Sequence, residues 1–369
     1  MKKLAIIGAS YLQLPLVEKA NAMGIETHCF AWPEGAVCKE IAHYFYPISI
    51  LEKENILEKC TEIGIDGITT IATDMAVPTI CYIAEKLNLV SNSFSSAIAS
   101  TNKGEMRKVF AAHKCATPKF LVVSDKERYV PYIPFPVIVK PVDRSGSRGV
   151  TKVLSADALE SAITYAIQES FSGQALVEHY IEGAEVSVET ISCNGSHYIL
   201  AITDKVTTRA PHFVELAHHQ PSQLPSDIQE KIKIETLKCL DALGIKNGAG
   251  HSEFKITPDG EVFVIEVGAR MGGDFIGSHL VALSTGYDFV KGVIDIALNS
   301  FEPPVLNNHQ FSGVYFLCKE TEVINPYFSG VNAFDVEKQI LSETLKEVTN
   351  SNDRSGYLIY QSKKKINLL

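Results

Sequence analysis

The groups best placed to do chemistry lie in the stretch 249–274, AGHSEFKITPDGEVFVIEVGARMGGD. Two strand-like runs, HSEFKI and EVFVIEV, flank Pro258-Asp259-Gly260. An Asp-Gly pair between runs rich in β-branched and aromatic residues is a strong short-range hairpin signal. With Asp259 and Gly260 as the two loop residues, Pro258 pairs with Glu261 and Glu253 falls opposite Glu266. Side chains alternate along a strand, which predicts Phe254, Ile256, Phe263 and Ile265 on a buried face and His251, Glu253, Lys255, Glu266 and Arg270 on a polar one. Two carboxylates opposed across a ladder repel, so a cation is expected beside them. Two readings stand. One is a hard divalent ion such as Mg²⁺, which takes carboxylate oxygens. The other is Lys255 neutralising one glutamate on a wet sheet face. A longer loop with a bulge would shift this register.

The hairpin needs a framework. KLAIIGA (3–9), IETHCFAW and DGITTIA read as strands, alternating with helices at Pro15–Met23, Ile56–Ile63 and Val77–Leu87. That alternation predicts a parallel sheet. Only Gly8 of a G-x-G-x-x-G fingerprint follows the first strand, which argues against a dinucleotide-binding oxidoreductase; Gly8 reads as a plain turn. Ser100–His113 has helical periodicity, with Lys103 near its start. Strands KFLVVS, PFPVIVKP and VTKVL follow, then a helix over Ala156–Gln168 and strands ALVEHYI, EVSVETI and 199–203. The turn VDRSGSRGV, holding Gly146 and Gly149, could bring backbone N–H groups to phosphate oxygens. It lacks the ending of a P-loop, and by pattern alone it reads as a solvated hairpin loop. Asp204–Pro225 reads as a long irregular connection carrying Lys205, Arg209, Glu215, His218 and His219, a length that suits a functional loop. Helices at Ile228–Leu243 and Phe289–Asn299, strands GVYFL and GYLIYQS, and a helix over Val336–Val348 complete the chain.

Composition bounds the possibilities. The 369 residues are 46% hydrophobic and 21% charged, with a net charge of −9, ordinary for a globular protein of two or three domains. The acidic balance argues against nucleic-acid binding. Eight scattered cysteines, Cys29, Cys38, Cys60, Cys81, Cys115, Cys193, Cys239 and Cys318, include no C-x-x-C pair; they read as reduced thiols in a cytoplasmic protein, not as a zinc site or a disulfide framework. MKKLAIIGAS has too short an apolar run for a leader, and no stretch approaches the ~18 apolar residues of a membrane span.

Taken in order, TNKGEMR, VIVKPVDRSGSRGV, LVEHYIEGAEVSVE, HSEFKI and VFVIEVGARMGGD resemble the ATP-grasp superfamily, and within it the carboxylate–amine ligases that include bacterial L-amino-acid ligases. The resemblance covers about residues 1–300. It implies an α/β fold with an N-terminal parallel-sheet domain (1–92), linker helices and a small lid (93–186), a central antiparallel-sheet core (187–304) and a C-terminal segment (305–369) packed on that core. It implies ATP and Mg²⁺, with Mn²⁺ as an alternative ion. Carried over position by position, Lys103 and Lys140 contact phosphates, and the loop Ser145, Gly146, Ser147, Gly149 closes over them. Glu178, with the backbone of Tyr180 and Ile181, reads adenine, and Glu185 binds ribose. Glu253 and Glu266 hold the metal. Arg270, with Lys103, stabilises the transferring phosphoryl group. Glu215 and His218, in ELAHHQP, are substrate contacts, together with His251, Gly272 and Gly273. One departure stands out: the family's E-x-N-x-R is here Glu266-Val-Gly268-Ala-Arg270, so one oxygen ligand is missing. The implied reaction joins a carboxylate, of an amino acid, to an amine through an acyl-phosphate, in a protein consistent with a homodimer. The alternatives are bicarbonate or formate activation, or a nucleotide-binding protein without turnover.

Overall fold

The structure is a computed structural model that describes residues 1–369 apart from 126–132, 145, 147, 209 and 211. The chain opens with β1 (Lys3–Ile7), α1 (Leu14–Ala22), β2 (Glu26–Phe30), β3 (Tyr44–Tyr46), α2 (Lys53–Ile63), β4 (Gly67–Thr69) and α3 (Val77–Leu87). The four strands form a parallel sheet in the order β3-β2-β1-β4. β3 is a strand that the periodicity did not announce.

The region expected as one helix from Ser100 is two, α4 (Phe94–Thr101) and α5 (Lys103–Ala112), broken at Asn102. The Asn102 side chain accepts from the Glu105 N–H and caps α5, a preferred use of asparagine that ends one helix and starts the next. Strands β5 (Phe120–Ser124), β6 (Val137–Pro141) and β7 (Thr151–Val153), helix α6 (Leu159–Glu169) and β8 (Gln174–His179) make a four-stranded antiparallel lid, order β5-β8-β6-β7.

β9 (Ala184–Cys193), β10 (Ser196–Thr207), β11 (Glu215–Gln220), α7 (Ser226–Leu243), β12 (Gly248–Ile256), β13 (Val262–Gly268), α8 (Val281–Thr285), α9 (Phe289–Ala297), β14 (Phe311–Leu317), β15 (Asp335–Ile340) and β16 (Gly356–Ser362) follow. Their eight strands form one antiparallel sheet, order β13-β12-β9-β10-β11-β14-β16-β15. The C-terminal strands therefore extend the core sheet. Two expectations are corrected here. Asp204–Pro225 is not one irregular connection, since residues 204–207 end β10 and Glu215–Gln220 form β11, which pair, and Val336–Val348 is not helical, since residues 336–340 belong to the edge strand β15.

The β12–β13 hairpin keeps Glu253 opposite Glu266, but its loop is Pro258-Asp259-Gly260, with Gly260 at φ 81° and Ile256 paired to Val262. A bulge restores the register: Phe254 pairs with Val264, Glu253 with Glu266, and Ile265 is the extra residue. This overturns the buried face expected of β13. Val264 and Val267 join Phe254 and Ile256 in the core under α7, whereas Phe263 and Ile265 lie outside it. Hydrophobic packing continues from α1, α9 and the N-terminal sheet through Ile191 of β9. Among the described residues no helix is long and apolar enough to cross a membrane.

The lid sheet ends at His179 and the core sheet starts at Ala184. Between them, Gly183 takes φ 150°, and a Cβ there would lie 1.8 Å from the Ile256 carbonyl oxygen. Only glycine fits both the backbone and the contact. Gly183→Ala is expected to cost at least about 1–3 kcal/mol, read as a lower denaturant midpoint; a wild-type midpoint would contradict the assignment.

Candidate active site

One cleft of about 380 Å³ lies between the lid, the face of the core sheet and the N-terminal domain. Its floor is a lattice of cross-strand charges. In one row Lys255, Glu185, Lys205 and His218 stand side by side on β12, β9, β10 and β11. In the next, Glu266, Glu253 and Ser187 stand together, and beyond them His251 pairs with Glu189. Two backbone irregularities shape this floor. The bulge at Ile265 lets that residue and Glu266 both line the cleft. A second shift, between Val206 and Thr207, leaves Leu216 as the extra residue and turns Glu215 onto the face of Lys205 and His218. Re-aiming side chains is a recurrent use of bulges beside functional sites.

The opposed glutamates are each met by a lysine. Lys205 Nζ lies 2.8 Å from Glu253 and 2.8 Å from Glu185. Lys103 Nζ lies 2.7 Å from Glu266 and donates to the Arg144 carbonyl. Lys255 goes to Glu185 at 2.9 Å and does not neutralise Glu253. Burial alone would depress Lys205, but Glu185, Glu253 and Glu215 outweigh it and raise its pKa well above the ordinary value. Burial opposes ionised Glu253 too, and Lys205 with His251 holds it well below the usual carboxylate range. His251 is itself pushed up to about 9: burial disfavours its charge, but Glu189, 2.5 Å from Nδ1, and Glu253 prevail.

Arg270 is fixed by Asp74 of the N-terminal domain through two bonds, Nε to Oδ1 at 2.8 Å and Nη2 to Oδ2 at 2.9 Å. Such forked pairing fixes orientation as well as charge. At the lid end, Glu178 accepts from Arg107 Nε and Nη2 at 2.9 and 2.8 Å and meets Lys140 at 2.5 Å. The Tyr180 N–H is donated to Pro136. At the opposite end, Arg354 bonds Asp274 at 2.8 Å and Glu215 at 3.2 Å. His218 is buried there with neither ring nitrogen hydrogen-bonded.

Of the residues singled out in the sequence, Lys103, Lys140, Gly146, Glu178, Tyr180, Ile181, Glu185, Glu215, His218, His251, Glu253, Glu266, Arg270 and Gly273 all line this cleft. Gly149 does not; it packs on Pro141, where a Cβ would come within 2.7 Å. Gly272 lies behind the wall, its N–H donated to Glu189 at 3.1 Å. Ser145 and Ser147 fall outside the described residues. Sequence reasoning missed Asp74, Arg107, Glu189, Asp274 and Arg354 as parts of the site, and placed Lys205 only in a loop. Arg107 had a legible signal: it follows Lys103 by one helical turn and so shares its face. Asp74 and Arg354 had none, since long-range folding alone brings them to the cleft.

Residues 133–278 match the model of the ATP-grasp domain. The chain carries an ATP-grasp domain. It is 29% identical to carnosine synthase 1 of Gallus gallus over 205 residues, 51% of this chain and 22% of that protein. It is 24% identical to alanine–anticapsin ligase of Bacillus subtilis over 272 residues, 64% of this chain and 57% of that one. The chain thus spans from about a fifth to just over half of these relatives. The solved L-amino acid ligase of Bacillus licheniformis superimposes with a TM-score of 0.81 at 24% identity, covering 99% of this chain and 94% of that one; the likeness is one of fold. The ATP-grasp match begins in the lid at Ile133 and ends beyond the glutamate hairpin, so it includes the lid and core-sheet sides of the cleft and leaves out the N-terminal side with Asp74 and Lys103.

Glu178 is buried against Arg107 and Lys140, which outweigh the penalty of burial and hold its pKa at about 2. The folded value lies below the unfolded one, so the stabilisation is complete above about pH 4.5 and is lost as pH falls toward 2. Glu178→Gln is expected to flatten the stability profile across that acid range. Arg107→Ala strands part of a buried ion cluster and is expected to cost about 3–5 kcal/mol in urea denaturation at pH 7. A wild-type midpoint would contradict this.

Proposed function

We propose that this ATP-grasp protein is an ADP-forming ligase that joins the carboxylate of an amino acid to an amine through an acyl-phosphate. The observation that carries the proposal is the charge lattice: Glu253 and Glu266 face the same cleft, each with a lysine, and Arg270 is clamped beside them. The donor set fits Mg²⁺, since carboxylate oxygens are its preferred protein ligands alongside phosphates. When bound, Mg²⁺ would neutralise phosphate charge and polarise the transferring phosphoryl group. Gly268 contributes no side-chain ligand, so water would complete the coordination.

The remaining chemistry belongs to the chain. A carboxylate does not condense with an amine in water because its oxygen leaves badly. Attack on the γ-phosphate forms an acyl-phosphate and releases ADP; amine attack then expels phosphate. Lys103 and Lys140 supply ammonium donors for phosphate oxygens, and Arg144, Gly146 and Arg148, which also line the cleft, are placed to add cationic and backbone donors. Arg270, held in one orientation by Asp74, faces the developing phosphoryl charge. Preorganised donors of this kind are typically worth ~10²–10³ in rate each. At the lid end, the Tyr180 carbonyl and Ile181 N–H suit the edge of a purine, with Glu178 beside them; Glu185 is placed for ribose hydroxyls. Glu215, His218 and His251, with Gly273, form the end left for substrate. The relatives named above, a carnosine synthase and an alanine–anticapsin ligase, support amide formation.

Phosphate release over a panel of amino acids, singly and in pairs, with ATP and Mg²⁺, tests the reading. Release that needs a pair, with a coupled product by mass, is expected. Release stimulated by bicarbonate without amino acids would favour carboxyphosphate chemistry instead. Glu266→Gln is expected to abolish ADP formation while leaving the circular dichroism spectrum unchanged; near-normal turnover would refute the metal assignment.

A further inference from the structure

Away from the cleft, three groups widely separated in sequence converge. Cys115 lies in the segment that leaves α5 and enters β5, the first strand of the lid. Glu235 and Cys239 stand one turn apart on α7 of the core. One donor atom from each, two sulfurs and a carboxylate oxygen, all lie within 4.8 Å of one another. Among the described residues this is the one such group of three. Cys239 is fully buried, Cys115 nearly so, and the Glu235 side chain is 13% exposed.

The surroundings hold these donors in place. The Glu235 carboxylate accepts the Ala116 N–H at 2.5 Å and has Lys238 at 3.7 Å. Lys238 in turn donates to the Lys114 carbonyl. The Ala116 carbonyl accepts from the Val264 N–H at 2.7 Å, tying the segment to β13 beside the bulge. The carboxylate is thus oriented by a second hydrogen bond, as ligands of metal ions commonly are.

We propose that Cys115, Glu235 and Cys239 bind a thiophilic divalent ion, Zn²⁺ being the natural choice, that staples the entrance of the lid to helix α7. Two sulfur donors select such an ion over Mg²⁺, which prefers oxygen alone. Zinc takes four ligands, so three from the protein leave one vertex for water on the partly open Glu235 side. Binding displaces the thiol protons to solvent and therefore tightens as pH rises. The site is independent of the nucleotide cleft and does not rest on the proposed ligase activity. It also revises the sequence reading of these cysteines as reduced thiols and not a zinc site: they carry no shared sequence motif because the fold, not the spacing, brings them together.

The test uses the full chain, purified under reducing conditions without chelator, desalted, and analysed for bound metal. One zinc per chain is expected. Replacement by Co²⁺ is expected to give a near-ultraviolet thiolate-to-cobalt charge-transfer band. Cys239→Ser should abolish that band. Glu235→Gln, which keeps the side chain's size and its acceptor for the Ala116 N–H, should weaken Co²⁺ binding roughly tenfold or more, with an unchanged circular dichroism spectrum showing that the variant is folded. Absence of both zinc and cobalt binding in the folded wild type would overturn the proposal. So would finding, in protein prepared without reductant, a Cys115–Cys239 disulfide together with no metal uptake by the reduced form.

Discussion

The site depends on keeping two negative charges next to each other without letting the sheet come apart. Glu253 and Glu266 are paired across adjacent strands, an arrangement that is repulsive by itself. Lys205 and Lys103 make it tolerable, and they come from opposite directions: one from a strand of the same sheet, the other from the first turn of a helix packed over the hairpin. A lysine in a first helical turn works against the helix dipole. Its bond to Glu266 supplies the compensating attraction. Lysine is suited to this dual use, since its flexible stem lets one ammonium serve a carboxylate or a phosphate oxygen.

The same logic spreads outward. Each cation in the cleft is itself shared or held: Lys205 among Glu185, Glu253 and Glu215, Arg270 by Asp74, His251 by Glu189. Buried ion pairs of this sort seldom add much net stability compared with apolar packing, yet removing one partner is costly. Their value here lies in position. The N-terminal domain contributes Asp74, the helix that precedes the lid contributes Lys103 and Arg107, and the C-terminal segment contributes Arg354. The charge lattice thereby joins parts of the chain that are far apart in sequence.

The opposition of Glu253 and Glu266 was legible because Asp-Gly between strand-like runs fixes a pairing to within one residue. It was not legible in detail. The loop took one residue more than the simplest turn, and the bulge at Ile265 took it back, so the glutamates met as expected while the apolar residues of β13 exchanged faces. Local pattern also fixed the parallel sheet of the first domain and α7, where long apolar periodicity meets a glycine stop at Gly244. It found the middle of β10 at 199–203 but failed on the end of that strand and on β11, whose charged and histidine-rich sequence reads as a loop because their polar face looks into a cleft and not into a core. It failed again on β15, a six-residue edge strand whose two apolar side chains, Val336 and Ile340, are both exposed, so no buried face marks it. Asp74 and Arg354 depend on tertiary convergence, and nothing near them in sequence marks them.

The central claim is that the facing carboxylates grip a divalent ion carried by a nucleotide. Calorimetric titration with a non-hydrolysable ATP analogue, with and without Mg²⁺, addresses it most directly in the wild type and in Glu253→Gln. The account predicts that Mg²⁺ tightens binding to the wild type and that this gain disappears in the variant, while metal-free binding persists. An undiminished gain from Mg²⁺ in Glu253→Gln would contradict it.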